Sequence, residues 1–193
     1  MTRAQALGGL VLAMLLLSPT LARAGKAEVG MPQTLRAGSA SLVLNGSAVR
    51  KKLFLKIYEL GVYLPSTEAD AETIIQSGGP KAVRLRLLIP VDGETIGSSI
   101  ARGFERNDGH RLEQLGDRLQ RLKAMFPAVR RGDDILLRWA PGEGTVVELR
   151  GRRIGSIPGK DFADALFAVW LGAVPADAEM KERLLGGKKG RAR

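Results

Sequence analysis

The chain has 193 residues, with 30 Lys and Arg against 20 Asp and Glu, a formal charge of +10, and 45% hydrophobic residues. It holds no Cys and one His, which excludes disulfides, thiolate metal sites and cysteine nucleophiles and leaves a His-based metal centre without a second ligand. The cations are spread along the sequence without aromatic interleaving. That pattern argues against nucleic-acid binding and for a solvated basic surface, with peripheral contact to an anionic membrane as the second reading.

In chain order the first feature has the form of an export signal. Arg3 supplies a positive start, residues 7–17 are apolar and uncharged, and Ala22-Arg23-Ala24 places small residues where signal peptidase reads them. The apolar run is shorter than the roughly 20 residues a spanning helix needs, and Pro19 lies just beyond its end, where it would break a longer helix. Residues 1–24 are therefore expected to be a cleavable signal peptide, cut after Ala24, and the mature protein to be periplasmic or secreted. Loss of Arg3 and Arg23 leaves a charge of +8. The remainder, about 170 residues, suffices for one hydrophobic core and not two. Residues 25–187 are read as one domain and 188–193 as a basic disordered tail.

Residues 31–35 read as a short first strand, and residues 41–44 as a second that ends at the turn-forming dipeptide Asn45-Gly46. Residues 52–64 read as one long strand. Period two places Leu53, Leu55 and Ile57 on one face and Phe54, Lys56 and Tyr58 on the other, with one face buried, Gly61 marking a bend or a close backbone approach and Pro65 the end. Residues 66–77 read as a helix capped by Ser66 or Thr67. A strand over 82–89 comes next, with Arg84 and Arg86 opposite Val83, Leu85 and Leu87.

Helices are expected over 92–107, with Ile96, Ile100 and Phe104 on one face, and over 110–125, with Leu112, Leu115, Leu119 and Leu122 as its stripe. Strands over 134–139, 145–149 and 153–157 are joined by the glycine-rich turns at 141–144 and 151. A helix over 160–171 presents Phe162, Leu166, Phe167 and Trp170, and a short amphipathic helix over 177–185 precedes the tail. The sum is an α+β fold of six or seven mostly antiparallel strands with helices gathered on one side.

Catalytic signatures are sparse. His110 has no second His to pair with, and the glycine-rich segments lack the strand-to-helix context of a phosphate loop. One cluster stands out: Arg50, and Tyr58 and Tyr63, which are the chain's two tyrosines. If Arg50 lines an apolar cavity, its guanidinium can hold a carboxylate or polarise a carbonyl with Tyr58 beside it. The alternative is that both tyrosines are core residues and Arg50 is one of three adjacent surface cations.

The segment from Gly46 to Leu64, with Lys56-Ile57-Tyr58 and Gly61-Val62-Tyr63, resembles the signature strand of the chalcone isomerase superfamily, in particular its bacterial chalcone isomerase-like branch. The likeness continues through Phe104-Glu105-Arg106-Asn107, through Arg131 to Trp139, and through the closing Asp161-Phe162 to Trp170-Leu171-Gly172. It implies an open-faced β-sandwich, a long antiparallel sheet with helices packed on one face and an apolar cleft between the layers.

In the plant enzymes of this superfamily an Arg, a Thr and a Tyr act on the reacting chalcone, while an Asn and a Ser or Thr bind the far ring. Arg50 and Asn107 match the Arg and the Asn. Tyr58 stands where the Thr is expected, Ile100 where the catalytic Tyr is expected, and Val169 near the Ser or Thr. Loss of one such hydrogen-bond donor costs about 3–4 kcal/mol of barrier. Non-catalytic relatives bind fatty acids, so the resemblance implies a cleft for an apolar, fatty-acid-like ligand with an anionic end. Arg50, Tyr58, Ile100, Phe104, Asn107, Phe167 and Val169 are its candidate ligand-binding residues, with no cofactor expected. An isomerase acting on an unknown enone, with Arg50 as its catalytic residue, is one alternative. Haem binding, through His110, Tyr58, Tyr63 or a Met, or a structural and partner-binding role is the other.

Overall fold

A computed structural model describes residues 30–187; the expected export signal, its cleavage site and the basic tail lie outside them. Seven strands form one antiparallel sheet in the order β1-β2-β3-β4-β5-β6-β7, so every strand pairs with its neighbours in sequence. They are β1 (Thr34–Ala37), β2 (Ala40–Lys52), β3 (Leu55–Leu64), β4 (Lys81–Leu87), β5 (Asp134–Ala140), β6 (Gly144–Leu149) and β7 (Arg152–Ile157). The connections carry α1 (Ala71–Gln76), α2 (Gly93–Asp108) and α3 (Leu112–Met125), with a single 3₁₀ turn before α3; α4 (Lys160–Leu171) and α5 (Ala178–Leu184) come after β7. The sheet curls, and the helices pack on one side of it. Among the described residues no helix is long and apolar enough to cross a membrane.

Alternation decides which side each residue takes. Leu60, Val62 and Leu64 of β3, Val83, Leu85 and Leu87 of β4, and Ile135 and Leu137 of β5 face the helices and join the main core. The opposite face carries a smaller cluster built on Leu42, Tyr63, Ala82 and Leu136. Polar pairs cover the rest of that face: Arg84 donates to Asp134 at 3.1 and 2.9 Å, and Arg138 reaches Glu143 and Glu148. Helix α4 is the central element of the helical layer. Between Phe162 and Leu171 every residue except Asp164 is buried, so its apolar surface extends well beyond the single stripe that the spacing of its large residues suggests.

Four local expectations are corrected. Asn45-Gly46 does not turn the chain; β2 runs through it. Leu44 pairs with Tyr63 and Gly46 with Val62, which leaves Asn45 as the extra residue of a bulge. Its side chain donates to the carbonyls of Glu68 and Leu184 at 2.9 and 2.8 Å and accepts from the Glu68 N–H, and these long-range bonds override the local turn preference. The chain turns instead at Leu53-Phe54, because Lys52 pairs with Leu55. Residues 52–64 are therefore not one strand but the end of β2, a turn and β3, on which Tyr58, Leu60 and Val62 face the helices. Helix α1 starts after Asp70, whose carboxylate accepts from the Thr73 N–H at 2.7 Å; Ser66 and Thr67 precede it in irregular chain. The first strand begins at Thr34, three residues later than its composition suggests.

Candidate functional site

A cleft of about 760 Å³ opens between the sheet and α2. Its floor is Ile57 and Tyr58 of β3, Leu85 and Leu87 of β4, and Ile135 of β5. Its roof is Thr95, Ile96, Ser99 and Ile100 of α2, and its inner wall is Val169 and Trp170 of α4. Arg50, Lys52, Arg102 and Arg106 also line it. The cleft is thus apolar within and cationic at its edge.

Local sequence explains each wall. On β3, Arg50 opposes Tyr58 and Lys51 opposes Lys56, so Ile57 is an extra residue. The bulge brings both Ile57 and Tyr58 to the cleft, where strict alternation admits only one. On α2 the spacing of Ile96 and Ile100 puts both on the sheet side, while Ser99, Arg102 and Arg106 run along the adjacent, more exposed line. Asp92 starts the helix, its carboxylate accepting from the Thr95 N–H and hydroxyl at 2.7 Å each. The backbone bond from Thr95, then its hydroxyl, hold Asp92 below the usual carboxylate range. It is the one carboxylate of the lining.

The Tyr58 hydroxyl accepts from the Trp170 indole N–H at 3.2 Å. Burial pushes its ionisation above the ordinary 10, against the opposing effects of Trp170 and Arg50, so at neutral pH it is a phenol. Arg50 does not present a free guanidinium: its Nη1 donates to Asp177 at 2.5 Å and to the Lys51 carbonyl at 3.2 Å. Asp177 in turn caps α5, accepting from the Met180 N–H at 3.1 Å. Among the described residues neither Arg102 nor Arg106 pairs with a carboxylate, and both are exposed. Arg102 donates to the Ser99 hydroxyl at 3.0 Å.

Of the candidate residues, Arg50, Tyr58, Ile100 and Val169 line the cleft, and Phe104, Asn107 and Phe167 do not. Phe104 is fully buried, 5.2 Å from the Phe162 ring in solid core. Phe167 lies on the far side of α4, 4.9 Å beneath the ammonium of Lys81. That ammonium caps α1 by donating to the carbonyls of Ile74 and Ser77 at 3.0 and 3.2 Å. Asn107 ties down the segment after α4, donating to the Val174 carbonyl and accepting from its N–H, each at 2.9 Å. Sequence reading missed Arg102, Arg106 and Trp170 as cleft residues. The i, i+4 spacing of the two arginines along one line of α2 was the available signal.

The residues considered for haem ligation do not assemble here. His110, Tyr63, Met31, Met125 and Met180 are outside the cleft lining, and the Tyr58 hydroxyl is engaged by Trp170. Among the described residues no group of three or more His, Asp or Glu is placed to hold a metal ion.

An open-faced, curled antiparallel sheet with helices on one side and an apolar cleft between the layers defines the class of the chalcone isomerase fold. The chain belongs to the chalcone isomerase-like family, whose profile matches residues 24–186. A solved structure of a fatty-acid binding protein from Arabidopsis thaliana has the same fold, at 18% identity and a TM-score of 0.61, over 80% of this chain and 90% of that one. No curated protein sequence matches the chain.

Proposed function

We propose that this protein is an exported, non-catalytic binder of a fatty-acid-like ligand, held with its chain in the cleft and its carboxylate at the edge. The observation that carries the reading is the pairing of an apolar interior with Arg102 and Arg106, exposed cations without a carboxylate partner among the described residues. Carboxylate binding by a guanidinium is directional and charge-assisted, and apolar burial of the chain supplies the remaining affinity. A volume of about 760 Å³ suits a small amphiphile. The shared fold of the Arabidopsis fatty-acid binding protein is consistent with it. Enone isomerisation has less support, because Ile100 supplies no hydrogen bond to a ketone and Arg50 is already paired with Asp177.

The test is titration with saturated fatty acids of graded chain length and with their methyl esters. The acids are expected to bind. Arg102→Ala/Arg106→Ala weakens the acids about tenfold and leaves the esters unchanged, and Ile100→Trp, which fills the cleft, weakens both. No binding of any acid by the wild-type protein, or full affinity in both variants, rejects the proposal. Export is tested by the N-terminus of the protein recovered outside the cytoplasm, expected at Gly25.

A further inference from the structure

At the β2–β3 turn three consecutive large apolar side chains stand in solvent: Leu53 is 89% exposed, Phe54 103% and Leu55 53%. Packing does not account for them, and neither does turn chemistry. Two-residue hairpin turns are dominated by Asn-Gly and Gly-X because a central residue takes positive φ. Here Leu53 occupies that position at φ 54°, in a region disfavoured for leucine. The tip thus retains an apolar pair where a polar one suits both the backbone and the solvent.

The flanks of the tip are cationic. Lys51, Lys52 and Lys56 surround it, Arg50 lies just behind, and residues 50–58 contain no acid. Arg50 is matched by Asp177; among the described residues the three lysines have no carboxylate partner. Apolar side chains beyond a ring of lysines match the two layers of an anionic bilayer surface, with Leu53, Phe54 and Leu55 in the acyl boundary and the ammoniums among the headgroups. Arg50 and Lys52 also line the cleft, as do Ile57 and Tyr58 beyond the tip.

We propose that the tip of the β2–β3 hairpin inserts into the surface of an anionic lipid bilayer and docks the edge of the cleft against it. The insertion is a property of the hairpin and does not depend on which ligand the cleft holds, so its test can fail while fatty-acid binding holds, and the reverse.

The chain has no Cys, so a single Phe54→Cys substitution in the full-length protein carries an environment-sensitive fluorophore at the tip alone. Glu72→Cys, on the helix beyond the far end of β3, is the control for any other mode of attachment. With phosphatidylcholine–phosphatidylglycerol vesicles the label at position 54 is expected to shift to the blue and the label at 72 to stay in water. Pure phosphatidylcholine vesicles give a weaker shift. In co-sedimentation, Leu53→Gly/Phe54→Ser, which puts Gly at the positive-φ position, is expected to bind the anionic vesicles at least about tenfold more weakly. It installs a favoured turn, so the hairpin is retained. Lys51→Gln/Lys56→Gln is expected to lose the preference for anionic lipid. A label at 54 that stays in water, or a double turn variant that binds as tightly as wild type, overturns the proposal. Self-association abolished by the turn variant, with no shift on vesicles, assigns the tip to a second copy of the chain and overturns it too.

Discussion

The indole N–H of Trp170 donates to the hydroxyl of Tyr58 at 3.2 Å, joining α4 to β3 at the inner end of the cleft. Trp170 is buried and Tyr58 half-buried, so removing the hydroxyl leaves the indole N–H without its partner. Tyr58→Phe is expected to lower stability by about 1–2 kcal/mol, read from urea unfolding. An unchanged midpoint shows that the indole finds another acceptor.

The pair of Arg50 and Asp177 is partly exposed, with side-chain accessibilities of 29% and 24%. Screening limits such a pair to about 1 kcal/mol or less. Arg50→Ala is therefore expected to cost no more than that in stability and to change fatty-acid affinity less than about threefold. The comparison is with Arg102→Ala/Arg106→Ala in the same binding titration. A larger loss in the Arg50 variant makes Arg50 the carboxylate anchor after all.

At Gly103 α2 lies close against α4, and an added Cβ would sit 2.6 Å from the Val169 side chain. Alanine improves helix propensity by about 1 kcal/mol, but overpacking costs about 1–3 kcal/mol. Val169 is a β-branched residue on α4 with one strongly preferred rotamer, so it yields little and the strain prevails. Gly103→Ala is expected to lower stability by about 1 kcal/mol and to alter fatty-acid affinity as α2 shifts. Thermal unfolding and binding titration check the two effects separately.

Asp133 is one source of acid sensitivity. Arg150 grips its carboxylate at 2.8 and 2.6 Å, and the Arg130 N–H adds a third bond. The Arg150 bonds, aided by Arg130, hold its ionisation down at about 2 in the folded chain, against an ordinary 3.8. A depressed folded-state value means that the unfolded chain takes up the proton first. The stabilisation is then complete above about pH 4 and is lost as pH falls toward about 2. Asp133→Asn should be less stable at neutral pH and show a flatter loss across that acid window, measured by unfolding at a series of pH values.

Much of the fold was legible because local periodicity carries it. The four later strands, α2 to within a residue at each end and the order of all the elements can be read from alternation and helical spacing. Asn45-Gly46 and Leu53-Phe54 misled for one shared reason. Turn propensity is a small local term, and at Asn45 three hydrogen bonds to Glu68 and Leu184, distant in sequence, outweigh it. At Leu53 the chain turns despite its residues, because pairing of β2 with β3 sets the register. The bulge at Ile57 has no signature in the residues around it, yet it brings Tyr58 to the cleft.

The candidate site was half legible. Helical spacing identifies Ile100, Phe104 and Phe167 alike as inward-facing, and all three are buried. It does not say whether the space opposite is filled. Phe104 meets Phe162 and Phe167 meets Lys81, whereas Ile100 and Val169 border open volume.

By itself the sequence determined the order of strands and helices, the residues that must be shielded from water, and the family resemblance, since each depends on patterns within a few residues of chain. Only the tertiary structure decided which shielded residues border a cavity and which cations are left without a carboxylate. Both depend on how far α2 stands from the sheet and on which acids the fold brings to Arg50, distances set by packing between segments far apart in the chain.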